Sequence, residues 1–363
     1  MKNRSSQLER QLVAAAVLIL VCAAAIGCAP ARWAEQSANG ANNQSGGGSG
    51  GGPVTSPKKT TEEFQQDANA NKVDILIVND NSASMDEEQQ KMSMRFTSFV
   101  SDLKGLDYRI AMTTTDLDSP KYNLGGRIVA WSGTTAKVLT PLTADADLKF
   151  KNTIKRAETI GCAKRNDCPS KNEQPLRAIE LAVDQATTAN KELFRDGVDF
   201  VAVVLSDEDE LSNAPVGATT AAHVIQHFKT AFNETKRLEV HGLVVMPGDD
   251  ACLQLQSHQG PVGSKSSYAT RVADLSVLTK GSLHSICDAD YAKDLSAIST
   301  QVRKLVSSFE LKETPSPNSL SVVLTPTYKT KWTSESNRLI FNPAPPAGTK
   351  IEVTYSFQES SNR

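Results

Sequence analysis

The chain has 363 residues, of which 39% are hydrophobic and 22% are charged, and its formal net charge is -2. These values are typical of a globular protein and leave room for one large domain with an appendage. The basic residues are spread along the chain, without a basic run in the part expected to fold, which argues against a nucleic-acid partner.

Residues 1–27 form a predicted targeting segment. Lys2, Arg4 and Arg10 precede an unbroken apolar run over Leu12–Ile26. This run is too short for a comfortable membrane span and has no basic stop-transfer flank after it. The pattern therefore indicates an export signal.

The apolar run ends in the sequence Ala25-Ile26-Gly27-Cys28. It resembles a bacterial lipobox, although leucine is more common in that family where Ala25 stands. The resemblance implies that Cys28 is lipidated, becomes the mature N-terminus and anchors the protein in a membrane. Ala29 follows where an aspartate would mark inner-membrane retention, so the resemblance implies the outer membrane of a bacterial envelope. The alternative is an ordinary secretory signal with a bystander cysteine.

Residues 28–71 are predicted to be a flexible tether. The stretch Ser45–Gly52 reads SGGGSGGG, and its flanks are rich in Asn, Ser, Gln and Lys. Such a composition cannot form a core. We expect a large domain over residues 72–308, a small β module over 309–358 and a tail over 359–363.

The large domain begins with a buried strand and a tight turn. Val73–Val78 is largely β-branched, and a helical pattern starts near Glu87. Between them, Asp80, Ser82 and Ser84 place one carboxylate and two hydroxyls at alternate positions, where they can converge on a hard cation. The alternative is that Asp80 caps the next helix and that the serines bond backbone groups.

The following elements alternate between strands and helices, which predicts an α/β fold. We expect a doubly wound, largely parallel sheet flanked by helices, followed by a small C-terminal antiparallel β module. The predicted helices are Glu87–Leu103, Leu176–Ala189, Ala221–Phe232 and Tyr291–Val306; the predicted strands are Tyr108–Thr113, Arg127–Trp131 as a possible edge strand, Asp199–Leu205, Leu238–Val245, Ser282–Ile286, Leu320–Leu324, Leu339–Phe341 and Lys350–Phe357.

A second polar turn follows the buried strand Asp199–Leu205. This strand ends at Ser206 and Asp207. In a doubly wound sheet the ligand crevice lies at the carboxyl ends of the strands, where the strand order reverses. A carboxylate at Asp207 would therefore face Asp80.

Together, the Asp-x-Ser-x-Ser turn and Asp207 closely resemble the metal-ion-dependent adhesion site of von Willebrand factor type A domains. The resemblance covers roughly residues 72–308 and is specific at these two loops. It implies a Mg²⁺ ion, or Mn²⁺ or Ca²⁺, bound by Asp80, Ser82, Ser84, Ser170 and Asp207. In that family a threonine usually precedes the helix before the fourth strand, and Ser170 falls at the matching position.

Two parts of this inferred site have alternatives. Ser170 and Glu173 have the spacing of a helix capping box, although Pro175 lies too deep for such a helix, and Thr113–Thr115 are rival hydroxyl donors. The acidic run Glu208–Glu210 is favoured as a solvated loop, with a stronger or second cation site as the alternative.

Four cysteines besides Cys28 are expected to form disulfides, because the chain is predicted to be exported. Three pairings are possible, and pairing of neighbours is the simplest. Zinc binding is the rival interpretation, but the sequence has no CxxC pair. The simplest pairing joins Cys162 to Cys168 and Cys252 to Cys287.

The sequence offers little support for an enzyme. His223 and His227 are four residues apart, as in zinc proteases, but the sequence HVIQH lacks the glutamate base. No serine elbow, Walker loop or dinucleotide fingerprint is present either. We therefore expect neither catalysis nor a small-molecule substrate, and a hydrolase remains a third possibility only with a base that the sequence does not reveal.

These features predict a lipid-anchored binding protein of the bacterial cell envelope. Its divalent metal would recognise an exposed Asp or Glu of a protein partner, as in adhesion, because hydroxyls leave the cation under-neutralised. The alternative is a structural or scaffolding lipoprotein of the same fold without a functional metal site.

Overall fold

The structure is a computed structural model that describes residues 57–162, 167–213, 217–259 and 266–358. The predicted signal segment, Cys28 and most of the predicted tether lie outside these ranges. Among the described helices, none is long and apolar enough to cross a membrane.

The described part contains eight α-helices and eleven strands, with a short 3-10 helix at Ala83–Met85. The strands are β1 (Lys58–Gln65), β2 (Lys72–Asn79), β3 (Asp107–Thr114), β4 (Phe200–Ser206), β5 (Leu238–Val244), β6 (Leu283–Ser285), β7 (Ser308–Glu310), β8 (Ser321–Thr325), β9 (Lys331–Glu335), β10 (Arg338–Asn342) and β11 (Lys350–Phe357). The helices are α1 (Asp86–Ser93), α2 (Phe96–Asp102), α3 (Ala146–Ile154), α4 (Pro175–Asp184), α5 (Ala221–Ala231), α6 (Asp250–Gln259), α7 (Thr270–Leu278) and α8 (Ala292–Val306).

A five-stranded parallel sheet forms the centre of the large domain, with the strand order β3-β2-β4-β5-β6. Alternate side chains of each strand point to opposite faces. In β2, Ile75 and Ile77 pack with α1, α2, α3 and α8, whereas Leu76 and Val78 pack with α4, α5 and α7. The predicted doubly wound sheet flanked by helices is confirmed.

Several predicted boundaries differ from the structure. The helix expected over Glu87–Leu103 is divided into α1 and α2, because residues 94 and 95 form a turn. Arg127–Trp131 is not a strand, although Val129 donates one backbone hydrogen bond to Met112 (2.9 Å). Sequence analysis also missed α3, α6, α7, β1, β7 and β9.

Two small antiparallel sheets form the predicted β module, in the orders β1-β11-β8 and β7-β10-β9. They share a separate apolar core that includes Leu339, Phe341, Ile351, Val353 and Tyr355. The antiparallel character expected of residues 309–358 is therefore confirmed, but the module also recruits β1 from the other end of the described chain.

The predicted tether extends too far, because its last part includes β1. All eight residues of Lys58–Gln65 pair with β11. Glu62 is buried, and its carboxylate accepts hydrogen bonds from the Tyr355 hydroxyl and from the Lys312 backbone N–H. Backbone pairing with β11 and the buried Glu62 carboxylate stabilise β1, although its polar sequence is not typical of a strand.

Both predicted disulfides are present. Cys162 is bonded to Cys168, with their Cα atoms 5.4 Å apart, and Cys252 is bonded to Cys287, at 5.6 Å. The second bond links the N-terminal part of α6 to the segment after β6.

Candidate metal centre

The candidate site lies where the order of the parallel strands reverses. In the sheet, β3 lies on one side of β2, and β4, which follows later in the chain, lies on the other side. The loops after β2 and β4 therefore meet at the carboxyl end of the sheet, where doubly wound folds bind ligands. The Asp80 backbone N–H donates to the Leu205 carbonyl oxygen (2.9 Å), which fixes the two loops side by side.

Asp80 is fully buried and does not cap α1. One of its carboxylate oxygens, Oδ1, accepts the Ser82 backbone N–H (2.8 Å), and the other, Oδ2, accepts the Ser206 hydroxyl (2.6 Å). The first bond turns the loop back on itself. Gln89 from α1 adds a side-chain bond to the Asp80 carbonyl oxygen (2.8 Å).

Ser82 and Ser84 connect this loop to Asp207. Their hydroxyl oxygens lie 3.0 Å apart, and Ser84 donates to Asp207 Oδ1 (3.1 Å). Ser266 donates to the other oxygen of Asp207, at 3.0 Å. The expected convergence of Asp80, Ser82, Ser84 and Asp207 is therefore present in the geometry, and the serines bond side chains rather than backbone groups.

Burial raises the pKa values of both aspartates of the site. It raises the pKa of Asp80 to about 6 and, with the charge of Asp80, raises the pKa of Asp207 to about 7. Hydrogen bonds from the serines act in the opposite direction but are too weak to cancel the desolvation. Glu208, next along the chain, also has a pKa raised to about 7, again mainly by burial.

Ser170 makes its hydrogen bonds elsewhere. Its backbone N–H donates to Asp116 (3.1 Å), and its hydroxyl accepts the Asn172 backbone N–H (3.0 Å). It does not form the alternative capping box either, because α4 begins only at Pro175. Of the rival hydroxyls, that of Thr113 donates to the Arg127 carbonyl oxygen (3.1 Å).

Glu173, in the same segment, is a buried acid that the acids of the site affect electrostatically. Its side chain is 1% exposed, and its pKa lies well above the usual value because of burial and of the negative charges of Asp80, Glu208 and Asp207. Sequence analysis considered Glu173 only as a capping partner for Ser170. It also did not assign Ser206 and Ser266, although Ser206 directly precedes Asp207 in the sequence.

The acidic run after β4 is buried and not solvated as expected. Glu208, Asp209 and Glu210 are at most 7% exposed. Asp209 accepts backbone N–H groups of Arg271 and Val272 at the start of α7, and Glu210 accepts those of Leu176 and Arg177 at the start of α4. Two of the three acids therefore serve as helix caps.

The donor set fits a hard cation that keeps open coordination positions. Mg²⁺ is commonly bound by one or two carboxylates and retains several waters. Asp80 and Asp207 supply two carboxylates, and Ser82 and Ser84 supply neutral oxygens between them. Among the described residues, no group of three or more His, Cys, Asp or Glu side chains is placed to hold a metal ion.

The two histidines on α5 are paired with acids rather than arranged as a zinc site. His223 contacts Glu180, and His227 lies 2.9 Å from Asp184. Both acids lie on α4, so these pairs accompany the packing of α4 against α5. This agrees with the structural role that their sequence context predicts.

Comparison with known proteins finds no matching family model and no similar curated protein. Similar solved structures include von Willebrand factor type A from Catenulispora acidiphila, with 12% identity and a TM-score of 0.38, covering 83% of this chain and 65% of that one. The pilus adhesin SpaC from Lactobacillus rhamnosus GG has 10% identity and a TM-score of 0.31, covering 82% and 40%. The manganese-loaded TRAP protein of Plasmodium vivax has 10% identity and a TM-score of 0.30, covering 67% and 76%.

The sheet itself defines the architecture. It is a doubly wound, Rossmann-like α/β fold with a five-stranded parallel sheet. The identities and TM-scores are too low to assign a family or a function, and the chain spans less than two thirds of the first two structures.

Proposed function

We propose that this chain is a binding protein, not an enzyme, and that it recognises a protein partner through a divalent cation. Asp80, Ser82, Ser84 and Asp207 would hold Mg²⁺, Mn²⁺ or Ca²⁺ at the carboxyl end of the sheet. The cation would supply a positively charged coordination position for an Asp or Glu of the partner. We expect this binding to be similar to that of adhesion proteins.

One observation carries this proposal: two buried carboxylates are joined through two serine hydroxyls at the switch point of the sheet. The path runs from the Asp80 loop through the Ser82 and Ser84 oxygens, 3.0 Å apart, to Asp207 Oδ1 at 3.1 Å. Burying two acids this close costs stability unless a positive charge compensates them. A cation accounts for both the acids and the hydroxyls.

Thermal unfolding and calorimetry with Mg²⁺ and Mn²⁺ test the cation site. We expect millimolar Mg²⁺ to raise the melting temperature of the wild-type protein, because a ligand that binds only the folded state stabilises it. Asp80→Ala should lose this response. Asp118→Ala, which alters an acid outside the proposed ligand set, should retain it. Absence of a wild-type response to either cation would refute the site.

A pull-down from envelope extracts, with Mg²⁺ or with EDTA, tests the recognition step. The proposal predicts a partner that is retained in Mg²⁺, released by EDTA and lost after Asp80→Ala. Replacement of one acidic residue of that partner should abolish capture. A partner bound equally in EDTA would instead show that another surface is used.

The membrane anchor is part of the proposal and rests on the sequence Ala25–Cys28. Lipidated Cys28 would keep the protein in the cell envelope, with the outer membrane as the expected location. Cys28→Ser should move the protein from the membrane fraction to the soluble fraction or leave it unprocessed. Unchanged fractionation would indicate a different anchor.

A structural or scaffolding role is the second candidate. It is favoured by the finding that no three acids or histidines of the described residues form a metal cluster. Such a protein would keep its partners in EDTA. The pull-down therefore separates the two candidates.

A further inference from the structure

Two adjoining clefts lie near the amino ends of β2 and β3, at the end of the sheet opposite the candidate site. The first has a volume of about 470 Å³ and lies between α8 and the strands β9 and β10. The second has a volume of about 710 Å³ and is bordered by the start of β2 and by residues 140–142. Leu106 lines both clefts, which we call together the basic groove. Its charged residues are Lys72, Asp107, Arg109, Arg195, Arg303, Lys304, Lys331 and Glu335.

The basic groove has an excess of positive charge, although the whole chain has a formal net charge of -2. Six of its residues are basic and two are acidic. Asp107 pairs with Arg195 at 2.9 Å, and Glu335 pairs with Lys304 at 2.8 Å. The buried Asp74 also pairs with Arg195, at 2.7 Å. With Asp74 included, the formal charge is six minus three, or +3, and the cations outside these pairs are Lys72, Arg109, Arg303 and Lys331.

Neutral groups hold three of these four cations without cancelling their charge. Arg109 and Arg303 donate to backbone carbonyl oxygens. Lys72 donates to the Asn69 side-chain oxygen (3.1 Å). Among the described residues, no carboxylate pairs with these three side chains or with Lys331. The groove therefore presents fixed cations that an anionic partner would neutralise.

Apolar groups and a strand edge line the same groove. Leu142 is 94% exposed and Trp332 of β9 is 39% exposed. The cleft beside α8 is lined by the consecutive residues Lys331, Trp332 and Thr333. Because successive side chains of a strand point to opposite faces, this cleft reaches the edge of β9 and not one face alone. In the sheet order β7-β10-β9, no other described strand pairs with that edge, and an unpaired edge is a template for an extended chain.

We propose that the basic groove binds an extended acidic peptide segment of a protein partner. The segment would add to the edge of β9, with its carboxylates facing Arg303 and Lys331 and an apolar side chain packed on Trp332. A flat lipid surface does not enter a cleft, and a nucleic acid would leave the strand edge and the apolar walls unused. The groove is separate from the candidate cation site, so this binding requires no metal.

Fluorescence anisotropy of a labelled octapeptide of alternating Glu and Leu, titrated with the full chain in a non-ionic detergent, measures this binding. We expect binding at about 50 mM NaCl that weakens by roughly fivefold or more at about 500 mM, because salt screens charge pairs at the surface. An octapeptide of alternating Lys and Leu should not bind. EDTA should leave the affinity unchanged. Absence of binding by the acidic peptide at low salt would overturn the proposal.

Lys331→Glu tests the groove directly, because Lys331 is exposed and has no acidic partner among the described residues. We expect affinity for the acidic peptide to fall by about fivefold, with an unchanged melting temperature. Lys72→Glu repeats the test in the second cleft. Lys229→Glu is the matched control, since Lys229 is an exposed lysine of α5 that lines neither cleft, and it should retain the affinity. Equal losses in the Lys331 and Lys229 variants would show a non-specific effect of charge and overturn the proposal.

Trp332 reports where the peptide lies. Its fluorescence, taken as the difference between the wild type and Trp332→Phe, should change when the acidic peptide is added, and amide hydrogen exchange in β9 should slow. Phosphatidylglycerol vesicles, compared with phosphatidylcholine vesicles to cancel any lipid anchor, and a single-stranded oligonucleotide should show no dependence on Lys331. If Lys331→Glu weakens binding to either of these and not to the peptide, the groove contacts a membrane or a nucleic acid, and the proposal is overturned.

Discussion

At the scale of single residues, the site combines strong hydrogen bonding with uncompensated charge. Asp80 receives the Ser82 backbone N–H and the Ser206 hydroxyl, and Asp207 receives the hydroxyls of Ser84 and Ser266. Neutral donors stabilise a carboxylate less than a positive charge does. The raised pKa values of both acids follow from their burial, which these hydrogen bonds do not offset.

The dependence of stability on pH should reveal these acids. Their folded-state pKa values, about 6 for Asp80 and about 7 for Asp207 and Glu208, exceed the ordinary values of 3.8 and 4.5. Between about pH 4 and pH 7 the folded site therefore binds more protons than the unfolded chain, and its contribution to stability falls as the pH rises. Mg²⁺ should offset this loss, so its effect on the melting temperature should be larger at pH 7.5 than at pH 5.

The pH experiment compares melting temperatures in Mg²⁺ and in EDTA at each pH. The difference between the two cancels the contribution of carboxylates elsewhere in the chain. In a domain of this size, about 1 kcal/mol corresponds to about 2–4 °C. Asp80→Asn should flatten the difference. A Mg²⁺ effect that shrinks from pH 5 to pH 7.5 would contradict the assignment of these acids to the site.

Ser82→Ala should separate cation binding from folding. The Ser82 hydroxyl bonds to the Ser84 hydroxyl and to the Asp80 carboxylate, and its loss should cost about 1 kcal/mol of unfolding free energy. Cation affinity should fall, as calorimetry with Mg²⁺ would measure. Ser257→Ala removes a hydroxyl that bonds within its own helix and should leave affinity unchanged. Equal affinities in the two variants would remove Ser82 from the ligand set.

At the scale of elements, sequence patterns predicted the features with strong local signals. The apolar strands β2 and β4 and the short polar turns after them were visible directly, because a parallel sheet buries both faces of its strands. Their adjacency follows from the topology of doubly wound folds. These signals were enough to predict that Asp80 and Asp207 lie close together.

The features that sequence patterns missed depend on tertiary contacts. β1 reads KKTTEEFQ and gains its stability from pairing with β11, which lies at the far end of the chain. Glu173 and Ser170 are three residues apart, and the bridge to Asp116 and the bond from Leu211 that fix the backbone of Glu173 come from distant parts of the chain. The acidic run resembled a solvated loop because charge alone does not reveal a helix N-terminus packed beside it.

Asp209→Ala should affect stability without affecting the cation. Asp209 accepts the Arg271 backbone N–H (3.0 Å) and the Thr270 hydroxyl (2.7 Å) at the start of α7. Loss of such a cap costs about 0.5–2 kcal/mol. Urea unfolding should show this cost while calorimetry shows unchanged Mg²⁺ affinity, which is the reverse of the result expected for Asp207→Asn. Loss of Mg²⁺ binding in Asp209→Ala would place Asp209 in the site instead.

At the scale of the whole molecule, the β module packs at the end of the sheet opposite the candidate site. Arg237, just before β5, donates to the Ser308 carbonyl oxygen of β7 (2.9 Å), and Lys280 pairs with Glu310 (2.9 Å). The eight residues of β2 separate its two ends by roughly 25 Å at about 3.3 Å per residue. The module therefore lies about one strand length away from the candidate site.

The attachment of the module to the sheet rests partly on one buried ion pair. Arg338 of β10 lies 3.4 Å from Glu239 of β5, and Glu239 is fully buried. Arg338→Met would leave that carboxylate without its cation, which should cost about 3–5 kcal/mol of unfolding free energy. Adding Glu239→Gln should restore much of this loss, because the remaining groups are then neutral.

Urea unfolding of the two single variants and the double variant measures this coupling. Lys350→Met is the matched control, since Lys350 pairs with Glu63 at 3.0 Å on the surface, with both side chains more than half exposed. An exposed pair should contribute only about 0–1 kcal/mol. If Arg338→Met costs no more than Lys350→Met, the module does not depend on this pair, and its other contacts hold it to the sheet.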